Sequence, residues 1–307
     1  MDNRINVCVA CDDNYSKYAG VVIASILKNP NSDEEIYFYI LDGGISEKHK
    51  EEILSLKSIK NSEIKFIDID QSLFSEYSKI KTHSYVTIAT YYRLKLPSLL
   101  PNVDRIIYFD CDMVINSSLK ELFNTEMGEC LVAGAKDINK RMLKKNPTYV
   151  NAGMLVFDLK NMRKDNTEEK FLSWTIQNAE SIKVGDQTII NEVFKNRIKI
   201  VHDKWNVQSS NFTNRSSYTK EPSVVHFVAK KKPWHWASFS YHRDLYFKYL
   251  QLTLWRLSEE EYTHWTKDNQ KASLIEYFKY RPTFFIRPKF YEALIKTYIL
   301  KEGELHE

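Results

Sequence analysis

Ile106-Ile107-Tyr108-Phe109-Asp110-Cys111-Asp112-Met113-Val114 is an apolar run that ends in two carboxylates one residue apart. Its β-branched and aromatic content reads as a buried strand. Alternation along an extended strand would turn both carboxylates to one side, where two hard oxygen ligands can hold a divalent cation that in turn grips a phosphate. An apolar strand ending in acid is also an ordinary arrangement at a sheet edge, so other residues must decide between the two.

Upstream of this run the chain repeats one unit. Residues 6–10 form a short buried strand, Cys11-Asp12-Asp13-Asn14 is turn chemistry, and 18–27 is an apolar helical stretch. Residues 36–41 are a second strand, Ser46 with Glu47 caps a helix running to Leu56, and 64–69 is a third strand. Strands alternating with helices at these intervals imply crossover connections and a parallel sheet covered on both faces. Such sheets bind ligands at the carboxyl ends of their strands, where strand order reverses. Asp12, Asp13, Asp110 and Asp112 all follow strands on that side, which is where a nucleotide would lie.

Downstream signals are more local. Residues 88–96 read as a helix carrying Tyr91, Tyr92, Arg93 and Lys95, stopped by Pro97, with Arg93 a solvated or ion-paired residue on periodicity alone. A short helix at 119–123 and a strand at 131–135 follow. Tyr149-Val150-Asn151-Ala152-Gly153 leads into a strand at 154–159, either as a small-residue turn that lets backbone approach a ligand or as a bulge. Helices are expected at 168–179 and 187–194, with Asp186 as an N-cap. His226 lies in a strand at 224–228, ahead of Lys230, Lys231 and Lys232 and of Pro233-Trp234-His235-Trp236. Alone it would be a core histidine. Beside an acidic pair it completes a set of two carboxylates, one imidazole and cations suited to a metal-bound diphosphate.

Composition sets the frame. At 307 residues and 43% apolar content, the chain supports one main domain, 1–249, and a helical extension, 250–307. Four cysteines, Cys8, Cys11, Cys111 and Cys130, mostly sit in or beside apolar runs, as reduced thiols do, and no second pair joins Cys8-x-x-Cys11 to make a zinc site. A net charge of +4 is too mild to imply nucleic acid. Without a basic-then-apolar start or a stretch of roughly 20 apolar residues, the expectation is a cytoplasmic protein.

With these segments in hand, the chain resembles the family 8 glycosyltransferases, a GT-A group that includes bacterial lipopolysaccharide galactosyltransferases and glycogenin. The matching segments are Ala10-Cys11-Asp12-Asp13-Asn14-Tyr15, Ala89-Thr90-Tyr91-Tyr92-Arg93-Leu94, Tyr108-Phe109-Asp110-Cys111-Asp112, Asn151-Ala152-Gly153, Asp186-Gln187, and His226-Phe227 through Lys232-Pro233-Trp234, in the family's order. The resemblance implies an α/β fold with a Rossmann-like, mostly parallel mixed sheet flanked by helices. It implies a retaining transferase moving galactose or glucose from a UDP-sugar, with Mn²⁺ or Mg²⁺ as cofactor, to a glycan, glycolipid or glycoprotein. Ala10, Asp12 and Asn14 would contact uridine. Asp110, Asp112 and His226 would ligate the metal, and Lys232 the diphosphate. Val86, Arg93, Asp110, Asn151 and Ala152 would line the donor site, with Asp186 and Gln187 at the reacting sugar. An amide at Gln187 is a poor nucleophile, which favours front-face transfer over double displacement. The chain departs from the family in having Tyr85 where a histidine is usual, with His83 two places off, and Ala229 where glycine is usual.

The extension is rich in aromatic and basic residues, among them Trp255, Trp265, Tyr277, Lys279, Arg281 and Arg287. It reads as a peripheral contact with the inner membrane face, or as a lid or dimer contact. Two rival functions use other chemistry. Asp110-x-Asp112 resembles the first motif of haloacid-dehalogenase-type, magnesium-dependent phosphatases, but three strand-helix units precede it here and no later acid pair is evident. A non-catalytic sugar-nucleotide-binding module would have lost part of the constellation, and all of it is present.

Overall fold

The computed structural model describes residues 3–264 apart from 32, 81–87, 210–221, 229, 231, 236–237, 239 and 241. Its centre is a seven-stranded sheet built from β1 (Arg4–Cys11), β2 (Glu35–Asp42), β3 (Glu63–Asp68), β4 (Arg105–Phe109), β6 (Val132–Lys136), β7 (Val150–Asp158) and β8 (Ile198–Ile200). The order is β3-β2-β1-β4-β7-β6-β8. A second sheet has three strands, with β10 (Val224–Phe227) between β5 (Met113–Ile115) and β9 (Val207–Ser209).

Both faces of the large sheet are covered, as its near-continuous apolar strands require. Val7 and Val9 of β1 and Ile107 and Phe109 of β4 join one core with the helix Ser16–Lys28. Cys8, Ala10, Ile106 and Tyr108 join the other. All neighbours pair in parallel except β7, which runs antiparallel to β4 and to β6. The mostly parallel mixed sheet expected from sequence is therefore what forms. Strand order runs outward from β1 through β2 to β3, then returns to β4 on the other side of β1, so the switch point lies between β1 and β4.

Three local expectations are corrected. The run 106–114 is two strands: β4 ends at Phe109, Asp110-Cys111-Asp112 turns, and β5 enters the small sheet. Both sheets are buried, so hydrophobicity carries no mark of the break. Residues Ile88–Lys95 form a 3-10 helix, and Pro97 does not stop it but sits in the first turn of the next segment, Leu96–Leu99, where a missing N–H costs nothing. The strand expected at 154 begins at Val150, and of the two readings of Asn151-Ala152-Gly153 the bulge holds rather than the turn, since the register jumps where Gly134 opposes Leu155 and Lys136 opposes Val150. Of the extension, residues 250–264 are described. Trp255 lies over Gly20, where an added Cβ would meet its ring at 2.3 Å, and Leu257 and Tyr262 pack on the small sheet's core. Residues 265–307 lie outside the described set, and among the described residues no helix is long and apolar enough to cross a membrane.

Candidate active site

The Asp110-Cys111-Asp112 turn sits where the chain leaves one sheet for the other, and that placement assembles the site. Antiparallel pairing of β5 with β10 sets His226 opposite Met113, the residue after Asp112. The Phe227 N–H donates to Asp112 O at 2.8 Å, and the Asp110 N–H to Gly153 O at 2.8 Å. One ligand atom from each of Asp110, Asp112 and His226 falls within 4.8 Å of the others, the one such cluster among the described residues. The convergence expected from sequence is present, but it comes from a turn and a second sheet rather than from alternation along one strand.

The tautomer of His226 is set by a chain of amides. The backbone N–H groups of Ala152 and Gly153 can only donate. That of Ala152 reaches Gln187 Oε1 at 3.0 Å and that of Gly153 reaches Asn151 Oδ1 at 3.1 Å. The oxygens of both side chains are thereby fixed. Asn151 Nδ2 then donates to Gln187 Oε1, and Asn206 Nδ2 to Asn151 Oδ1 at 2.9 Å. Asn206 is left presenting Oδ1 to His226 Nδ1 at 3.1 Å, so Nδ1 carries a proton and in the neutral ring Nε2 is the lone pair. Nε2 stands 3.2 Å from Asp112 Oδ1, a buried oxygen without a hydrogen-bond donor among the described residues. A lone pair facing a carboxylate at this distance calls for a cation between them. The donor set of two carboxylates and one imidazole, with the imidazole's other nitrogen held by an amide, fits a divalent metal. Gly153 is essential to the arrangement: a Cβ there would lie 2.3 Å from His226 Cε1.

Cations hold both acids. Lys232 Nζ donates to Asp112 Oδ2 at 2.5 Å and to Phe227 O at 2.7 Å. Burial works against charge on Asp112, but the Lys232 ammonium outweighs it and holds its carboxyl below the usual range. Arg93 is 2% exposed, buried and ion-paired rather than solvated. Its Nη2 donates to Asp110 Oδ1 at 2.5 Å, its Nη1 to Ala152 O at 2.5 Å and its Nε to Thr90 O at 3.0 Å, and its guanidinium lies 4.0 Å above the Tyr108 ring. Arg93 Nε also lies 3.0 Å from Asp186 Oδ2. Asp186 is not an N-cap: the helix Gly185–Val193 is preceded by Val184, Gly185 takes φ +51°, and Asp186 falls inside the first turn with its carboxylate facing Arg93. Burial pushes that carboxyl up to about 7, against the pull of Arg93.

Other residues singled out from sequence divide into two groups. Ala10 is the next-to-last residue of β1 and its carbonyl accepts from Cys111 Sγ at 3.3 Å. Asp12 accepts from the Tyr15 N–H at 3.0 Å and caps the 3-10 turn Asp13–Tyr15, on which Asn14 is exposed. Asp13 turns away from the site: Ser46 and His49 bond to it and lower its carboxyl to about 2. Val86, Tyr85, His83 and Ala229 lie outside the described residues. All four cysteines are free.

Sequence reasoning missed two members. Asp137, directly after β6, accepts from Gln187 Nε2 at 3.0 Å and from Asn151 Nδ2 at 3.3 Å. The signal was there, since it is an acid following a buried strand just as Asp12 and Asp110 are. Asn206, 1% exposed, gives no comparable signal in Trp205-Asn206-Val207.

The Glycosyl transferase family 8 model matches residues 6–237. The chain is 28% identical over 276 residues to general stress protein A of Bacillus subtilis, covering 83% of this chain and 96% of that protein. It is 28% identical over 274 residues to lipopolysaccharide 1,2-glucosyltransferase of Escherichia coli, covering 80% and 79%. Among solved structures, galactosyltransferase LgtC in complex with donor and acceptor sugar analogs matches with a TM-score of 0.73 at 25% identity, covering 83% of this chain and 98% of that one.

Proposed function

The chain belongs to glycosyltransferase family 8 and has the GT-A fold, and from that premise we propose a retaining, metal-dependent hexosyltransferase. It moves galactose or glucose from a UDP-sugar to a glycan, glycolipid or glycoprotein acceptor. The observation that carries this is the convergence of Asp110, Asp112 and His226, with Asp112 Oδ1 lacking a donor. Those three side chains would hold Mn²⁺ or Mg²⁺, and the ion would neutralise charge on the departing diphosphate. In the same proposal Ala10, Asp12 and Asn14 receive uridine, Lys232 the diphosphate, and Arg93, Asn151, Ala152 and Asp186 the hexose, within a catalytic unit spanning 1–249 and followed by the extension 250–307.

The chain's own groups favour attack and departure on one face of the sugar. Gln187 Oε1 already accepts from Asn151 Nδ2 and from the Ala152 N–H, and its Nε2 donates to Asp137. Both lone pairs are engaged, which leaves little for covalent attack on the anomeric carbon. The C1–O bond to the β-phosphate breaks as the acceptor oxygen bonds C1 from the same side, and the acceptor's proton passes to the leaving phosphate. Gln187 holds the opposite face, fixed in orientation before substrate binds.

A donor screen without acceptor tests the proposal. UDP-galactose, UDP-glucose and their N-acetyl relatives are incubated with Mn²⁺ and free UDP is measured. Slow cleavage of one donor is expected, abolished by chelation and reduced on the order of 10³-fold, about 4 kcal/mol, in Asp112→Ala. UDP-sugar binding without turnover would mean a binding module, and hydrolysis of simple phosphomonoesters would mean a phosphatase.

A further inference from the structure

The connection between β6 and β7 carries a charge pattern that the donor site does not use. Residues 136–148 hold five cations, Lys136, Lys140, Arg141, Lys144 and Lys145, against one acid, Asp137, a surplus equal to the +4 of the whole chain. All five cations are exposed, while Asp137 is buried and turned toward Gln187. Four of them share the short helix Lys140–Lys145, where like charges recur twice at i,i+4, a spacing at which they repel. Among the described residues none of these four forms an ion pair. A merely solvated face usually mixes signs, and this one does not.

The loop is tied to the sugar end of the site at both roots. The Asp137 N–H donates to Tyr149 O at 3.0 Å, which closes the excursion. Asp137 Oδ2 and the Tyr149 hydroxyl both accept from Gln187 Nε2, at 3.0 and 3.4 Å. Asn139, whose N–H donates to Asp137 Oδ1 at 2.6 Å, then caps the cationic helix through the Arg141 N–H at 3.1 Å. The helical cations thus begin three positions after a residue that touches Gln187, the side chain proposed above to lie at the reacting sugar.

We propose that this basic loop docks the acceptor and that the acceptor is a phosphorylated glycan. Lysine ammonium groups are compact point charges suited to phosphate oxygens, and a cluster of one sign concentrates an anionic substrate at the mouth of the site. The inference rests on the glycosyltransferase proposal for its meaning, but its test reads binding and stands apart from turnover.

The full chain, with UDP and Mn²⁺ present, is titrated with fluorescently labelled mannopentaose phosphate and with the same glycan after phosphatase treatment. The phosphorylated form binds roughly tenfold more tightly at about 50 mM salt, and the preference fades by about 300 mM as exposed charges are screened. The quadruple variant Lys140→Glu, Arg141→Glu, Lys144→Glu, Lys145→Glu loses the preference while cleaving UDP-sugar without acceptor as the wild type does, which also reports that it folds. Equal binding of the two glycans, or a preference that survives in the variant, overturns the proposal. So does variant-sensitive sedimentation with phosphatidylglycerol vesicles but not with phosphatidylcholine vesicles, in the absence of glycan preference, since the loop would then read a lipid surface. Failure of wild-type UDP-sugar cleavage alone would instead count against the transferase proposal.

Discussion

The two ends of the site are built on opposite plans. Around Gln187 the polar groups close on one another: Asp137, Gln187, Asn151 and Asn206 are all buried, and in that order each side chain is bonded to the next. Around Asp112 the groups are charged and crowded, and one carboxylate oxygen faces a lone pair with no donor. A satisfied buried network is rigid and needs nothing further, whereas an unsatisfied one has a strong preference for what completes it. The contrast teaches that the end proposed to hold the sugar is formed in advance, and that the end proposed to hold the phosphates would be finished by its ligands.

Arg93 belongs to both ends, so the largest effect is expected there. It contacts Asp110 at one side and Asp186 and Ala152 O at the other. In Arg93→Met the buried Asp186 and the partly exposed Asp110 lose their counter-charge, at a cost of about 3 kcal/mol in unfolding free energy. Urea denaturation checks it. A loss below about 1 kcal/mol would mean that the ends are not joined through this residue.

Gly153 separates the ends at the next scale. In Gly153→Ala the new Cβ meets His226 at Cε1 and, at 2.7 Å, at Nδ1, so the ring must leave Asn206. Loss of such a partner lowers metal affinity by about 10–100-fold. Calorimetric titration with Mn²⁺ and UDP reads this directly, and an unchanged affinity would show that the amide chain does not set the imidazole.

The same contrast explains what the sequence disclosed. Asp110, Asp112 and His226 stand out because such types rarely enter apolar runs, and Lys232 because it closes a run of three lysines. The alternating units around β1, β2 and β3 were legible for the same reason, since their apolar runs are bounded by turn residues. What stayed hidden depends on long-range pairing: the break of 106–114 between two sheets, the reversal of β7, and the place of Asn206. Amides are common at surfaces, and only the fold brings Asn206 to His226. The helical period of 88–96 was real, but a 3-10 segment presents nearly the same apolar face as an α-helix over so short a length.

Asp137→Asn tests the closed end by itself. The carboxylate accepts from three donors, the Asn139 N–H, Asn151 Nδ2 and Gln187 Nε2. An amide brings an NH₂ group against one of them, at a cost of about 1–2 kcal/mol. The expected result is a roughly tenfold lower kcat for UDP-sugar cleavage with Mn²⁺ affinity unchanged. A matching fall in metal affinity would mean that Asn151 and Asn206 carry the disturbance to His226, and the two ends would have to be treated as one.

The smallest effect is expected at Lys232, and it separates two roles by sign. With no metal bound, its ammonium sits against Asp112 Oδ2 and neutralises the carboxylate that the metal would ligate. A metal ion binding alone must compete with that contact, whereas a metal bound together with UDP leaves Lys232 a phosphate to neutralise. Lys232→Met therefore binds Mn²⁺ alone a few-fold more tightly, since the competing ammonium is gone, and yet binds Mn²⁺ with UDP more weakly. Titrations with and without nucleotide give the two numbers. If both affinities fall together, Lys232 holds the turn in place rather than exchanging partners, and the phosphate end is as fully formed before ligand as the sugar end.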